Sequence, residues 1–120
     1  MILVDTSVWI DHLHKGVPEL AELLERGEVL VHPFVIGELA CGNLKDRGEV
    51  LGLLAALPPA VVAGDDETLL FIENRKLMAK GLGYIDAHLL ASVTLTDDAQ
   101  LWTRDKRLAQ VAADLGLALA

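Results

Sequence analysis

Ile2-Leu3-Val4-Asp5-Thr6-Ser7 sets three apolar residues directly against an acid and two hydroxyls. An apolar run of this length, rich in β-branched side chains, reads as a strand buried on both faces. Val29 to Val31 and Ala60 to Ala63 have the same character, while Leu101 to Thr103 and Leu117 to Leu119 are weaker versions of it. Between these runs lie stretches with helical spacing: Ser7 to His14, Pro18 to Arg26, Phe34 to Gly42, Gly48 to Leu57, Asp66 to Lys80, Ile85 to Leu95 and Lys106 to Leu115. Pro58-Pro59 ends the fourth of them, and Gly81-Leu82-Gly83 separates the fifth from the sixth. Strands alternating with helices predict an α/β fold, a three-layer α/β/α sandwich around a parallel sheet of four to five strands.

The totals agree with one such domain over residues 1–120. The chain has 120 residues, 52% of them hydrophobic and 23% charged, so it can bury a core and does not read as disordered. Cys41 is the single cysteine, which excludes an internal disulfide and the usual zinc clusters and points to a reducing, cytoplasmic setting. The N-terminus carries no basic region, and its apolar run is too short for a signal peptide or a membrane span. A net charge of -8 weighs against long-range attraction of nucleic acid, which ordinarily relies on clustered Lys and Arg. A divalent cation held among acids would offset part of that charge.

Four acids stand where chemistry is expected. Asp5 follows the first strand, and the carboxyl ends of parallel strands are where open α/β sheets bind ligands; it suits an N-cap equally well. Asp86 precedes Leu89, Leu90 and Val93 at i+3, i+4 and i+7, which places it on the apolar stripe of its helix. A carboxylate there needs a hydrogen bond, a counter-ion or a metal, although a first-turn acid also stabilises the helix dipole. Glu38 borders an apolar stripe through Phe34, Val35 and Leu39, with an exposed acid at the stripe's edge as the alternative. Asp105 follows the Leu101 to Thr103 run after one residue and, like Asp5, suits an N-cap. Four carboxylates brought together raise one another's pKa unless a cation joins them, and an all-oxygen donor set favours Mg²⁺ or Mn²⁺.

Asp5-Thr6-Ser7, Glu38 within Ile-Gly-Glu-Leu, Asp86 within Tyr-Ile-Asp-Ala-His-Leu-Leu-Ala, and Asp105 within Leu-Trp-Thr-Arg-Asp-Lys-Arg-Leu together resemble a PIN domain of the VapC-like kind, the ribonuclease toxins of type II toxin-antitoxin systems. The resemblance runs from residue 2 to about residue 119, in the family's order. It implies an endoribonuclease dependent on Mg²⁺ or Mn²⁺ that leaves 5′-phosphate and 3′-hydroxyl ends. Asp5 and Asp86 would be the principal metal ligands, Glu38 and Asp105 would complete the acidic site, and Thr6, Ser7 and Thr103 would supply hydroxyls. It also implies a homodimer and a cognate antitoxin whose C-terminal segment crosses the groove and places a basic side chain at the acids.

RNA phosphates need cations, and the candidates are Arg75, Lys76 and Lys80 on the fifth helix, with Lys76 and Lys80 sharing a face, and Arg104, Lys106 and Arg107 around the last acid. For each of them a solvated surface role is the alternative. His12, His14, His32 and His88 read as surface or packing residues, and Trp9 and Trp102 as core. Two other functions fit the same fold: a PIN-like module that binds without cutting, and a receiver-like or phosphatase-like Mg-binding domain. The latter lacks the adjacent acid pair or Asp-x-Asp expected after the first strand.

Overall fold

In the computed structural model, which describes residues 1–119, the opening run forms the central strand β1 (Ile2–Val4). The chain continues through α1 (Thr6–Lys15), α2 (Pro18–Glu25), β2 (Val29–Leu30), α3 (Pro33–Ala40), α4 (Arg47–Ala55), α5 (Asp65–Arg75), α6 (Tyr84–Leu95), β3 (Gln100–Trp102) and α7 (Lys106–Asp114). Both neighbours pair with β1 in parallel, Leu3 lying opposite Leu30 on one side and Leu101 on the other. Leu3 and Val4 are both fully buried. Successive strand residues point to opposite faces, so helices cover the sheet on both sides.

The sheet has three strands in the order β2-β1-β3. The expected outer strands are reduced to single parallel bridges, Val31 with Pro59 and Leu101 with Ala118. Prolines explain the first: Pro58 and Pro59 have no N–H to give, so only the Pro58 carbonyl and the Ala60 N–H pair with Val31. All seven expected helices form, with ends shifted by a few residues, except that α5 stops at Arg75 rather than Lys80. Lys76 turns into the left-handed region at φ 55° and ends the helix, so Lys76 and Lys80 share no helix face.

The strand order positions the site. From β1 the chain crosses first to β2 on one side and later to β3 on the other, which opens a crevice at the carboxyl end of β1. Asp5 stands at that point. α6 lies centrally against β3 and α5, with every residue from Ala87 to Val93 buried. The apolar stripe anticipated after Asp86 is thus a central helix segment buried all round, with both ends of the helix exposed. Among the described residues, no helix is long and apolar enough to cross a membrane.

Candidate functional site

Asp5 is the N-cap residue of α1, yet its side chain makes no cap hydrogen bond. Its Oδ2 instead accepts from the Ser7 hydroxyl at 2.8 Å and the Thr103 hydroxyl at 2.7 Å. The capping alternative therefore fails for this carboxylate. Thr103 also accepts from the Asp105 N–H at 3.1 Å, which ties the end of β1 to the turn after β3. Ser7 Oγ accepts from the Arg104 N–H at 3.0 Å and completes the same brace. Next to Asp5, the Thr6 hydroxyl donates to Glu38 Oε1 at 2.8 Å and so links α1 to α3.

The remaining two acids combine local and shared roles. Asp105 Oδ1 caps α7 by accepting from the Leu108 N–H at 2.9 Å. Asp86 Oδ2 accepts from the Gly83 N–H at 3.2 Å, folding back over the first turn of α6. Each of the four carboxylates thus has one oxygen held by a protein donor, while the other has no protein donor among the described residues. The only buried side-chain polar atom without a partner among the described residues is Trp9 Nε1, so the free oxygen of Asp5 is open to solvent although the residue itself is buried.

The electrostatics of Asp86 respond to the other three acids. Its carboxyl titrates above the ordinary carboxylate range, first because it is partly buried and then because Asp5, Asp105 and Glu38 all repel its charge, against the Gly83 hydrogen bond that favours ionisation. One acid feels the other three, from four different elements. Of the four only Asp5 is buried, whereas Glu38 and Asp105 are exposed, so Glu38 is the edge-of-stripe acid rather than a core one. Among the described residues no group of three or more such side chains is already drawn into a metal-holding cluster. The donor chemistry nonetheless suits a hard divalent cation: four carboxylates, each with a spare oxygen, three neighbouring hydroxyls and no sulfur or imidazole.

Glu38 also borders an open groove of about 600 Å³ floored by Ile10, Leu13, Leu39, Leu44 and Val50. The cation candidates are dispersed around the acids. Arg104 is paired with Asp11 at 2.6 Å, Arg107 lies against Gly81 in the turn before α6, and Lys106 is exposed at the start of α7. Arg75 stacks over the Phe71 ring at the far end of α5, Lys76 follows it, and Lys80 is exposed in the next turn.

The expectation for histidine holds for packing and misses its extent. His32 caps α3 by accepting from the Phe34 N–H at 3.0 Å through Nδ1, so its neutral ring carries the proton on Nε2, which faces Ser92 Oγ at 3.1 Å. His88 lies between Thr68 Oγ1 and Asp65 Oδ1, each at 3.1 Å. Phe34 packs edge-on against both rings, at 5.1 Å from His32 and 4.7 Å from His88. Burial first, and His88 second, lower the His32 pKa to about 4. Histidines two residues from an acid or just past a strand carry no periodic signal, so only the packed structure places them. Trp9 is buried as expected, and Trp102 is partly buried against the core.

Comparison with known proteins adds two findings. The PIN domain family matches residues 2–114. Ribonuclease VapC32 from two Mycobacterium tuberculosis strains, CDC 1551 / Oshkosh and ATCC 25618 / H37Rv, is 52% identical over 120 residues, spanning 100% of this chain and 97% of the relative in each case.

Proposed function

The chain belongs to the PIN-domain family, and from that premise we propose that it is a divalent-metal-dependent endoribonuclease, the toxin of a toxin-antitoxin pair, built as one nuclease domain. The observation that supports the reading is that Asp5, Asp105 and Glu38 all repel the charge of Asp86, whose carboxyl burial first pushes above the ordinary range. Asp5 and Asp86 would hold the metal from the strand end and the helix start, and Glu38 and Asp105 would complete the site directly or through water. Mg²⁺ or Mn²⁺, when bound, supplies an activated water and polarises the RNA phosphate.

The chain's own residues supply orientation and order. Ser7 and Thr103 fix Asp5 from one side, leaving its second oxygen directed to solvent, and Thr6 fixes Glu38 in the same way. These hydroxyls hold the carboxylates against their mutual repulsion before a cation arrives. Arg104, Lys106 and Arg107 adjoin Asp105 in the chain and are the cations suited to RNA phosphates, whereas Arg75 and Lys76 at the end of α5, and Lys80 in the turn after it, suit a more distant stretch of the strand.

An antitoxin is the expected protein partner. The apolar groove that ends at Glu38 suits a hydrophobic segment carrying a basic side chain, and an acidic chain attracts such a segment. A homodimer and a cytoplasmic setting complete the reading, the latter in keeping with the exposed free thiol of Cys41. The test is cleavage of RNA by the purified protein in Mg²⁺, with end-mapping of the products. Expected are 5′-phosphate ends, loss of cutting in EDTA, and loss in Asp5→Asn and Asp86→Asn proteins that keep the native circular dichroism. Full cutting by either variant would remove that residue from the site, and RNA binding without turnover by the wild type would favour the silent module.

A further inference from the structure

Phe34 and Tyr84 are two aromatic rings that the acid site does not use. Phe34 is 36% exposed and Tyr84 is 45% exposed, yet neither is loose. The buried His88 lies behind both, with its ring centre 4.7 Å from Phe34 and 4.5 Å from Tyr84. His32 backs Phe34 from a second side, and the Tyr84 hydroxyl is fixed to Asp65 Oδ1 at 2.9 Å. Edge-to-face packing and a tethered hydroxyl hold the rings in place before any ligand arrives.

Their position is at the rim of the carboxylate cluster. Phe34 stands four residues before Glu38 on α3, a separation of about 5–6 Å between Cβ atoms on one helix face. Tyr84 opens α6, whose first turn carries Asp86. The two rings meet at His88 on the first turns of α6.

We propose that Phe34 and Tyr84 form a stacking subsite for an unpaired nucleobase of a single-stranded RNA, one or two nucleotides from the bond that is cut; this rests on the ribonuclease reading. Stacking fits this chain better than phosphate contacts do. A net charge of -8 and the pairing of Arg104 with Asp11 weaken the attraction of phosphates, while base–aromatic stacking is independent of charge and gives affinity with any base. Binding through these rings depends weakly on salt, because few counterions are released.

The test places 2-aminopurine in turn at positions flanking the cut bond of a short single-stranded RNA and follows its fluorescence on mixing with the full chain in Mg²⁺. Expected is a quench at one position within the first turnover. Phe34→Leu and Tyr84→Leu keep an apolar cover over His88 but remove the π face; each should abolish the quench and raise KM on the order of tenfold with kcat unchanged. Tyr84→Phe, which keeps the π face and loses only the tether, should retain the quench and raise KM less than Tyr84→Leu does. Leucine variants with unaltered quench and KM would overturn the subsite. So would a Tyr84→Phe loss equal to that of Tyr84→Leu, since the tether rather than the ring would then be responsible. A changed oligomeric state of the leucine variants in sedimentation would also overturn it and assign the rings to contact between copies. Wild-type protein that quenches without cutting retains the subsite and removes the ribonuclease reading; cutting without any quench does the reverse.

Discussion

Acidification acts on His32 with a cost that can be worked out from its surroundings. The ring is fully buried, and Nδ1 is committed as the acceptor that caps α3, so the folded state holds it neutral. Its pKa is about 4 in the fold, against an ordinary 6.5. Between these values the unfolded chain binds a proton that the folded chain refuses, so stability falls as pH drops through 6.5 and the cost is complete near pH 4. At about 1.4 kcal/mol per pH unit the gap amounts to roughly 3 kcal/mol. His32→Asn isolates this contribution, because an asparagine oxygen can keep the cap on Phe34 N–H without titrating. The variant loses the Ser92 contact and leaves a void, so it is the less stable protein at neutral pH. Carboxylates titrate in both proteins, and the difference between their urea-unfolding free energies from about pH 7 to about pH 4 reads His32 alone. That difference should shrink by roughly 3 kcal/mol on acidification. Parallel curves would refute the reasoning, and with it the claim that a neutral His32 fixes the start of the helix that carries Glu38.

Three further outcomes follow from other contacts. Ionising Asp86 at neutral pH is unfavourable in the fold because its carboxyl titrates above the ordinary range, so Asp86→Asn should raise the metal-free melting temperature while losing the stabilisation that Mg²⁺ gives the wild type; scanning calorimetry with and without Mg²⁺ checks both. Asp11→Ala releases Arg104 from its ion pair, and RNA affinity measured across a salt series should rise, with a slope steeper by about one phosphate contact. Gly81 has φ +77° and a Cβ there would lie 2.8 Å from the Arg107 side chain, so Gly81→Ala should displace Arg107. The strained backbone alone should cost about 1–2 kcal/mol in urea unfolding.

The parts of the fold that the sequence announces are those written in one-dimensional pattern. Ile2 to Val4 is apolar at every position because both sheet faces are covered, and the helices between strands carry their own spacing. What escaped depends on backbone choices or on distant partners. Lys76 has no residue-type signal for a left-handed turn, so α5 reads as running on to Lys80. The outer strands read as apolar runs, but the prolines at 58 and 59 limit pairing on one side to a single bridge. For the acids, Asp5 and Asp105 are ambiguous caps in sequence, and structure separates them: one carboxylate ignores its helix and the other caps it. Glu38 borders an apolar stripe in sequence, yet the structure leaves it exposed. The His32, His88, Phe34 and Tyr84 cluster joins residues from three segments of chain, and no spacing within any one of them foretells it.

On the reading proposed above, Asp5, Glu38, Asp86 and Asp105 form a single divalent-cation site. Titration of Mn²⁺ into the wild-type chain, followed by the loss of the free-ion electron paramagnetic resonance signal, addresses it directly when repeated with each acid changed singly to its amide. Saturable binding is expected in the wild type, abolished by Asp5→Asn or Asp86→Asn and weakened by Glu38→Gln or Asp105→Asn. Binding that is equally tight in all four variants would contradict it.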